Sequence, residues 1–117
     1  MDLASLANLL DARVLVAPRD PVRTFARVYA GDRMSDLLAH ADDTTLLVTH
    51  LNGPGLVRLF DLMEVAGVCM VADMEPDDAL LAAARDAGAA MLSVRHELYE
   101  TCGIIHGAFA GPEVEAP

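Results

Sequence analysis

Three continuously apolar runs constrain this chain more than any other feature. They are Thr45-Leu46-Leu47-Val48-Thr49, Val68-Cys69-Met70-Val71-Ala72 and Ala90-Met91-Leu92-Ser93. A strand with one face in water alternates apolar and polar residues, whereas a strand covered on both faces does not. Two helical patterns separate the runs. Leu56 to Ala66 is apolar apart from one stripe of Arg58, Asp61 and Glu64, so it is covered on most sides. The second starts at Glu75-Pro76-Asp77-Asp78, with proline at the first helical position and acids in the first turn, and stops at Gly88. Strands and helices alternating through short connections predict parallel neighbours joined by right-handed crossovers. The expected fold is therefore α/β: a single small domain of three layers, with a mainly parallel sheet and helices on both faces. Val48, Val71 and Leu92 are expected in its core.

The flanking segments are weaker in pattern. Asp2 is placed to cap a first helix carrying Leu3, Leu6, Leu9 and Leu10. Arg13 to Val16 reads as a short strand, Ala17 to Pro21 as a loop, and Arg23 to Tyr29 as an outer strand. Gly31-Asp32 signals a turn before a helix over 34–41. A last helix from about Arg95 to about Ala108 has Val94, Leu98, Cys102, Ile105 and Phe109 as its buried line. Residues 1–110 are expected to form the domain and 111–117 a flexible polar tail.

Composition excludes several function classes. A chain of 117 residues that is 54% hydrophobic supports a true core and is not disordered. No apolar run approaches the roughly 18 residues of a membrane span. The start, Met1-Asp2-Leu3, has no basic segment of the secretory kind. A formal net charge of -10 repels nucleic-acid phosphates and anionic lipid, so neither is an expected partner. Arg13, Arg19, Arg23, Arg27 and Arg33 are spaced out among apolar residues and read as solvated charges. Cys69 and Cys102 have no Cys-x-x-Cys partner and read as thiols in a reducing, cytoplasmic compartment. His40, His50, His96 and His106 have no chelating spacing, and His96 and His106 stand about 15 Å apart along a helix. Neither a metal nor a cofactor is expected.

The best site candidate is the loop after the central run. Ligands of parallel α/β sheets bind beyond the carboxyl ends of the strands. Thr49, His50, Asn52, Gly53 and Gly55 stand there, before a helix N-terminus suited to a phosphate or carboxylate. The same residues also fit a plain capped turn. Asp73 and Ser93 follow the second and third runs and are expected on the same rim, as ligand contacts or as N-caps. Asp32, Ser35 and Asp36 form a polar cluster at a helix start, where Asp32 and Ser35 resemble a capping arrangement. Gly103 and Gly107 read as close packing of the last helix within the domain, or as a dimer contact. There is no Gly-x-x-x-x-Gly-Lys-Ser/Thr loop and no lysine at all, so phosphoryl transfer of the P-loop kind is excluded.

The order of features from Leu9 onward resembles the DRTGG domain family. The resemblance is carried by Tyr29-Ala30-Gly31-Asp32-Arg33-Met34-Ser35-Asp36, by Leu46-Leu47-Val48-Thr49-His50 with Asn52, by Ala66-Gly67-Val68-Cys69-Met70-Val71, by Glu75-Pro76, and by the return strand from Gly88 to Ser93. The family's glycine pair is absent, its place being held by Arg27-Val28. Family members occur alone, fused to CBS-domain pairs, and as relatives of the N-terminal domain of HPr kinase/phosphatase, whose kinase activity lies elsewhere. The resemblance implies regulation and ligand sensing, and it is what gives Asp32 and Ser35 a ligand role.

The resulting expectation is a non-catalytic regulatory domain that binds a small anionic, nucleotide- or phosphate-like ligand. It would act through a protein partner or as a homodimer, formed through apolar surface that one small sheet does not cover. The alternative is a ligand-free assembly module, accessory to a hydrogenase or carbon-control system. An enzyme using His50 as general base stands behind both.

Overall fold

The computed structural model describes residues 1–115, with side chains described through Phe109. The expected tail at 111–117 lies outside the residues whose side chains are described. Five strands form one sheet: β1 (Arg13–Val16), β2 (Arg27–Ala30), β3 (Thr45–Thr49), β4 (Gly67–Met70) and β5 (Ala90–Ser93). Five helices accompany them: α1 (Leu3–Leu10), α2 (Met34–His40), α3 (Pro54–Leu62), α4 (Asp78–Ala87) and α5 (Leu98–Glu115). The strand order is β1-β5-β4-β3-β2. β2 to β5 are parallel neighbours in chain order, with Leu46 opposite Gly67 and Gly67 opposite Ala90. β1 closes the far edge antiparallel to β5, with Arg13 opposite Ser93.

The α/β expectation holds, and the alternation of side chains divides the core. Leu47, Val68, Met70 and Met91 face α2, α3 and α4, where they meet Leu37, Leu56, Leu59, Phe60, Leu80 and Ala84. Leu46, Val48, Cys69, Val71 and Leu92 face the other way, onto Leu6 and Leu10 of α1 and Ile105 of α5. Val48, Val71 and Leu92 are fully buried, as expected. Crossovers of one hand that always step to the next strand in one direction put α2, α3 and α4 on the same face. That face therefore carries three helices and the other only two.

Several boundaries differ from the sequence reading. The outer strand starts at Arg27, not Arg23. Thr24 instead bridges to Asp2, and the Phe25 N–H donates to the Met1 carbonyl, which sinks the Phe25 ring into the core. The helix expected over 56–66 begins earlier, at Pro54, and ends at Leu62; residues 63–66 form the irregular link to β4, with Val65 and Ala66 buried. α4 starts two residues later than proline-first geometry suggested. Asp77 is the cap, its carboxylate accepting the Leu80 N–H at 2.9 Å, and Gly88 ends the helix at φ 71°. Asp2 caps α1 as read, accepting the Ser5 N–H at 2.7 Å. The last helix starts at Leu98 rather than Arg95. Close intramolecular packing of Gly103 and Gly107 is overturned, because a Cβ added at either would meet nothing within 4 Å. No helix among the described residues is long and apolar enough to cross a membrane.

Asp42 anchors the turn into β3. Its carboxylate accepts the Thr44 N–H at 2.9 Å and pairs with Arg27 at 2.7 Å. The Thr44 amide, above all, lowers its pKa to about 2, from an ordinary 3.8. A carboxyl depressed in the folded state contributes stability above its unfolded pKa and loses it as pH falls toward the folded value. Urea unfolding midpoints should therefore drop between pH 4 and about 2, and Asp42→Asn should flatten that drop. The side chain is 39% exposed, so water screens much of the effect.

Candidate functional site

The carboxyl ends of β2 to β5 form one rim, and the sequence-predicted residues fall on it in two groups. The first surrounds Asp32, in the turn after β2. Its Oδ1 accepts the Thr49 hydroxyl at 3.1 Å and the His50 N–H at 2.7 Å, and its Oδ2 lies 3.0 Å from His50 Nδ1. Partial burial is the largest single influence on the Asp32 carboxyl and pushes its pKa up, but the hydrogen bonds from the His50 amide, the His50 ring and the Thr49 hydroxyl together outweigh it and hold the pKa below the usual carboxylate value. The Thr49 hydroxyl in turn accepts the Leu51 N–H at 3.0 Å. Asp32 thus fixes the imidazole ring and the exit of β3 together.

The Asp32–Ser35 cap is not made. The residue before α2 is Arg33, with no side-chain cap, and Ser35 is exposed on the first turn. The physical reason is competition: the Asp32 carboxylate is fully used by Thr49 and His50 across the rim.

The second group centres on Arg13. Its guanidinium lies 2.5 Å from Glu75, 3.6 Å from Asp73 and 3.4 Å from the Ser93 hydroxyl. Ser93 is buried at the end of β5 and donates to the Met74 carbonyl at 3.1 Å, so it is a tie between strand and loop and not an N-cap. Asn52 reaches the same loop, its amide donating to the Glu75 carbonyl at 3.1 Å. Asn52, Asp73 and Ser93 therefore share one rim. Ala72 and Asp73 are both left-handed, at φ 59° and 56°. The conformation is uncommon for side-chain-bearing residues. It is held by Ala72 N–H to His96 O and Asp73 N–H to Val94 O, both 2.8 Å.

Sequence reasoning missed Arg13 and Glu75. Arg13 read as a solvated strand charge because nothing local tells that β1 runs antiparallel. That direction alone carries the first residue of β1 to the carboxyl rim.

The start of α3 is less open to an anion than its sequence suggested. Gly53 adopts φ 93°, which favours glycine, and its N–H is taken by the Asn52 side chain at 2.8 Å. Pro54 has no N–H, and the Leu56 N–H turns back to the Gly53 carbonyl at 3.1 Å. The Gly55 N–H has no hydrogen-bond partner among the described residues. The strand order also lacks a reversal among the parallel strands, so the rim has no switch-point crevice of the kind that holds nucleotides in doubly wound sheets.

The hollows lie elsewhere, and the most voluminous, of about 630 Å³, is a shallow one against α5 at Tyr99, Gly103 and His106. One of about 320 Å³ lies between β2 and α5, lined by Val28, Ala30, Cys102, Ile105, His106 and Phe109. Another of about 290 Å³ lies at the outer edge of β2, where Tyr29 and His40 stack with ring centroids 3.8 Å apart. Burial pushes the Cys102 thiol pKa up, and that of Cys69 to about 12, so neither is an activated nucleophile. Among the described residues, no group of three or more His, Cys, Asp or Glu side chains is placed to hold a metal ion.

No protein-family model matches the chain, and no curated protein matches it. Its fold is similar to a solved structure of the CBS and DRTGG domains of the regulatory region of Clostridium perfringens pyrophosphatase, complexed with the activator diadenosine tetraphosphate. The TM-score is 0.67 at 13% identity, over 89% of this chain and 45% of that one. The chain thus spans about half the length of that structure. At this identity the likeness concerns the fold, which is related to that of a regulatory CBS and DRTGG region; it does not by itself establish membership of the DRTGG family.

Proposed function

We propose that the chain is a non-catalytic regulatory domain of DRTGG type that binds a small anionic ligand, nucleotide- or phosphate-like, at the carboxyl rim, and acts through a protein partner or dimerisation. The fold likeness to a regulatory region that binds a dinucleotide activator carries this reading. The rim supports it chemically. Asn52, His50, Arg13 and the Gly55 N–H are donors on one edge, and Thr49 with Asp32 holds the histidine in place. Asp32 and Ser35 gain their role from the family resemblance, while Asp73 and Ser93 shape the loop that Arg13 grips. On this reading the rim serves recognition, with no group transfer assigned to it. The unpaired thiols suit a reducing, cytoplasmic setting.

The test is a thermal-shift screen with inorganic pyrophosphate, nucleoside triphosphates and diadenosine tetraphosphate. The expected result is a saturable rise, equivalent to about 2.7 kcal/mol at a hundredfold excess over Kd, and absent in Asn52→Ala. A flat response to every probe would sink the anion reading. It would leave the second one, a ligand-free assembly module, which is favoured by the uncovered sheet face beside α5.

A further inference from the structure

The two faces of the sheet are unequally covered. α2, α3 and α4 span one face, whereas α1 and α5 pack on each other over the other and leave β2 open. The opening is the hollow floored by Val28 and Ala30 and walled by Cys102, Ile105, His106 and Phe109. It continues around α5 into a shallower hollow that shares Cys102 and His106 and adds Tyr99, Glu100, Gly103 and Ile104. Among the described residues no further helix covers it.

The outward stripe of α5 has an unusual composition. Tyr99, Glu100, Gly103, His106 and Gly107 are its exposed residues, and Tyr99 is 90% exposed. Their spacing of three and four places them on one side of the helix. A Cβ added at Gly103 or Gly107 would meet nothing within 4 Å among the described residues, although glycine is the poorest helix former after proline. From Thr101 to Ala110 the chain carries no Asp, Glu, Lys or Arg, in a molecule of net charge -10. Two such molecules repel each other over most of their surface, and this stripe is where that repulsion is weakest.

We infer that a second copy of the chain docks here, α5 against α5, antiparallel about a two-fold axis at Gly103. The register makes the stripe self-complementary. With Gly103 on the axis, Tyr99 of each copy faces Gly107 of the other, a ring over a residue that leaves room for it. Glu100 of each faces His106 of the other, acid against imidazole. Within one copy Glu100 already lies 3.7 Å from His96 Nδ1, so the acid stands between its own histidine and the partner's. The glycine at the crossing lets the helices approach closely. A two-fold contact needs this match of a surface to itself. The dimer gives the dimerisation arm of the proposed function a surface, and it stands independently of whether the rim binds an anion.

Sedimentation equilibrium on the full chain, from micromolar to submillimolar concentration, tests it. The expected result is reversible association to twice 12.4 kDa. Gly103→Leu should leave the melting temperature of the single copy unchanged or higher, since leucine is the better helix former and its Cβ meets open space there, yet weaken the dimer by roughly tenfold or more. Glu100→Arg and His106→Glu should each weaken association, and the double variant should restore it, which the antiparallel register requires. A monomer throughout, or a dimer indifferent to Gly103→Leu, would overturn the inference. So would a charge-swapped pair no tighter than its single variants, and that set decides the matter even if Gly103→Leu fails to fold. Anion titrations followed by heat release report the rim separately.

Discussion

Gly67→Val is expected to destabilise the domain by about 3 kcal/mol, the upper end of what overpacking a core costs. Gly67 opens β4, between β3 and β5, with Leu46 on one side and Ala90 on the other. A single added Cβ would stand 2.9 Å from Phe25 Cε1, 3.0 Å from Cζ and 3.2 Å from the Ala90 Cβ. The Phe25 ring has little freedom to yield, because it is itself buried and its backbone is pinned to Met1. In a domain of this size the loss corresponds to a melting temperature lower by on the order of 15 °C. The partner residue gives the control. Phe25→Leu should be costly alone, but the double variant should be more stable than the sum of the two losses implies, since the two sites share one volume. Additive losses would show that something other than the Gly67–Phe25 contact sets the size at this position.

Asp32→Ala is expected to cost about 2 kcal/mol and to loosen the exit of β3. The carboxylate accepts from the Thr49 hydroxyl and the His50 amide, and meets the His50 ring. Thr49 is fully buried, and its hydroxyl loses the carboxylate to which it donates. The carboxylate itself is 43% exposed, which places the cost below that of a buried charge. Asp32→Asn discriminates between the contributions: the amide oxygen still accepts from Thr49 and His50 N–H, so most of the stability should return. What asparagine does not restore is the negative charge beside the imidazole. Because the folded Asp32 pKa is lowered, its contribution is present above the unfolded carboxyl value and disappears as the pH falls below it. Chemical denaturation at neutral pH measures the first effect, and denaturation repeated below the ordinary carboxyl range measures the second. If asparagine proves as damaging as alanine, the hydrogen bonds are not what holds the turn.

The parts of the fold that were legible are those in which both faces of an element are dictated by neighbours. Leu46, Leu47 and Val48 are buried on alternate faces of a covered strand, and helices on both sides, alternating with strands in the sequence, satisfy such a run. The illegible parts depended on distant partners. Arg23 to Ala26 has the residues of a strand, but Phe25 is claimed by Met1 and Gly67 instead of by a sheet neighbour. Pro76 has the signature of a helix start, and Asp77 outcompeted it by offering a carboxylate to Leu80. At the rim, Asn52, Asp73 and Ser93 were placed together correctly because parallel strands end at one edge. The grip of Arg13 on Glu75 was not legible, since it spans 62 positions and depends on the direction of β1. The Gly103 and Gly107 pair was visible as a motif, but only coordinates show that it faces outward.

The strand order also bears on how the chain is made. β2, β3, β4 and β5 join in the order in which they leave the ribosome, each pairing with the one before it, so the parallel sheet can grow by steps that each close a short stretch of chain. β1 is the exception. It is synthesised first, but its only neighbour is β5, some eighty positions later. Until Ser93 has emerged, Arg13 to Val16 has no strand to join. A nascent chain halted before β5 therefore carries two unpaired edges and a free N-terminal segment, the condition in which strands pair with the wrong partner. The last strand to be made thus completes the sheet from both sides at once.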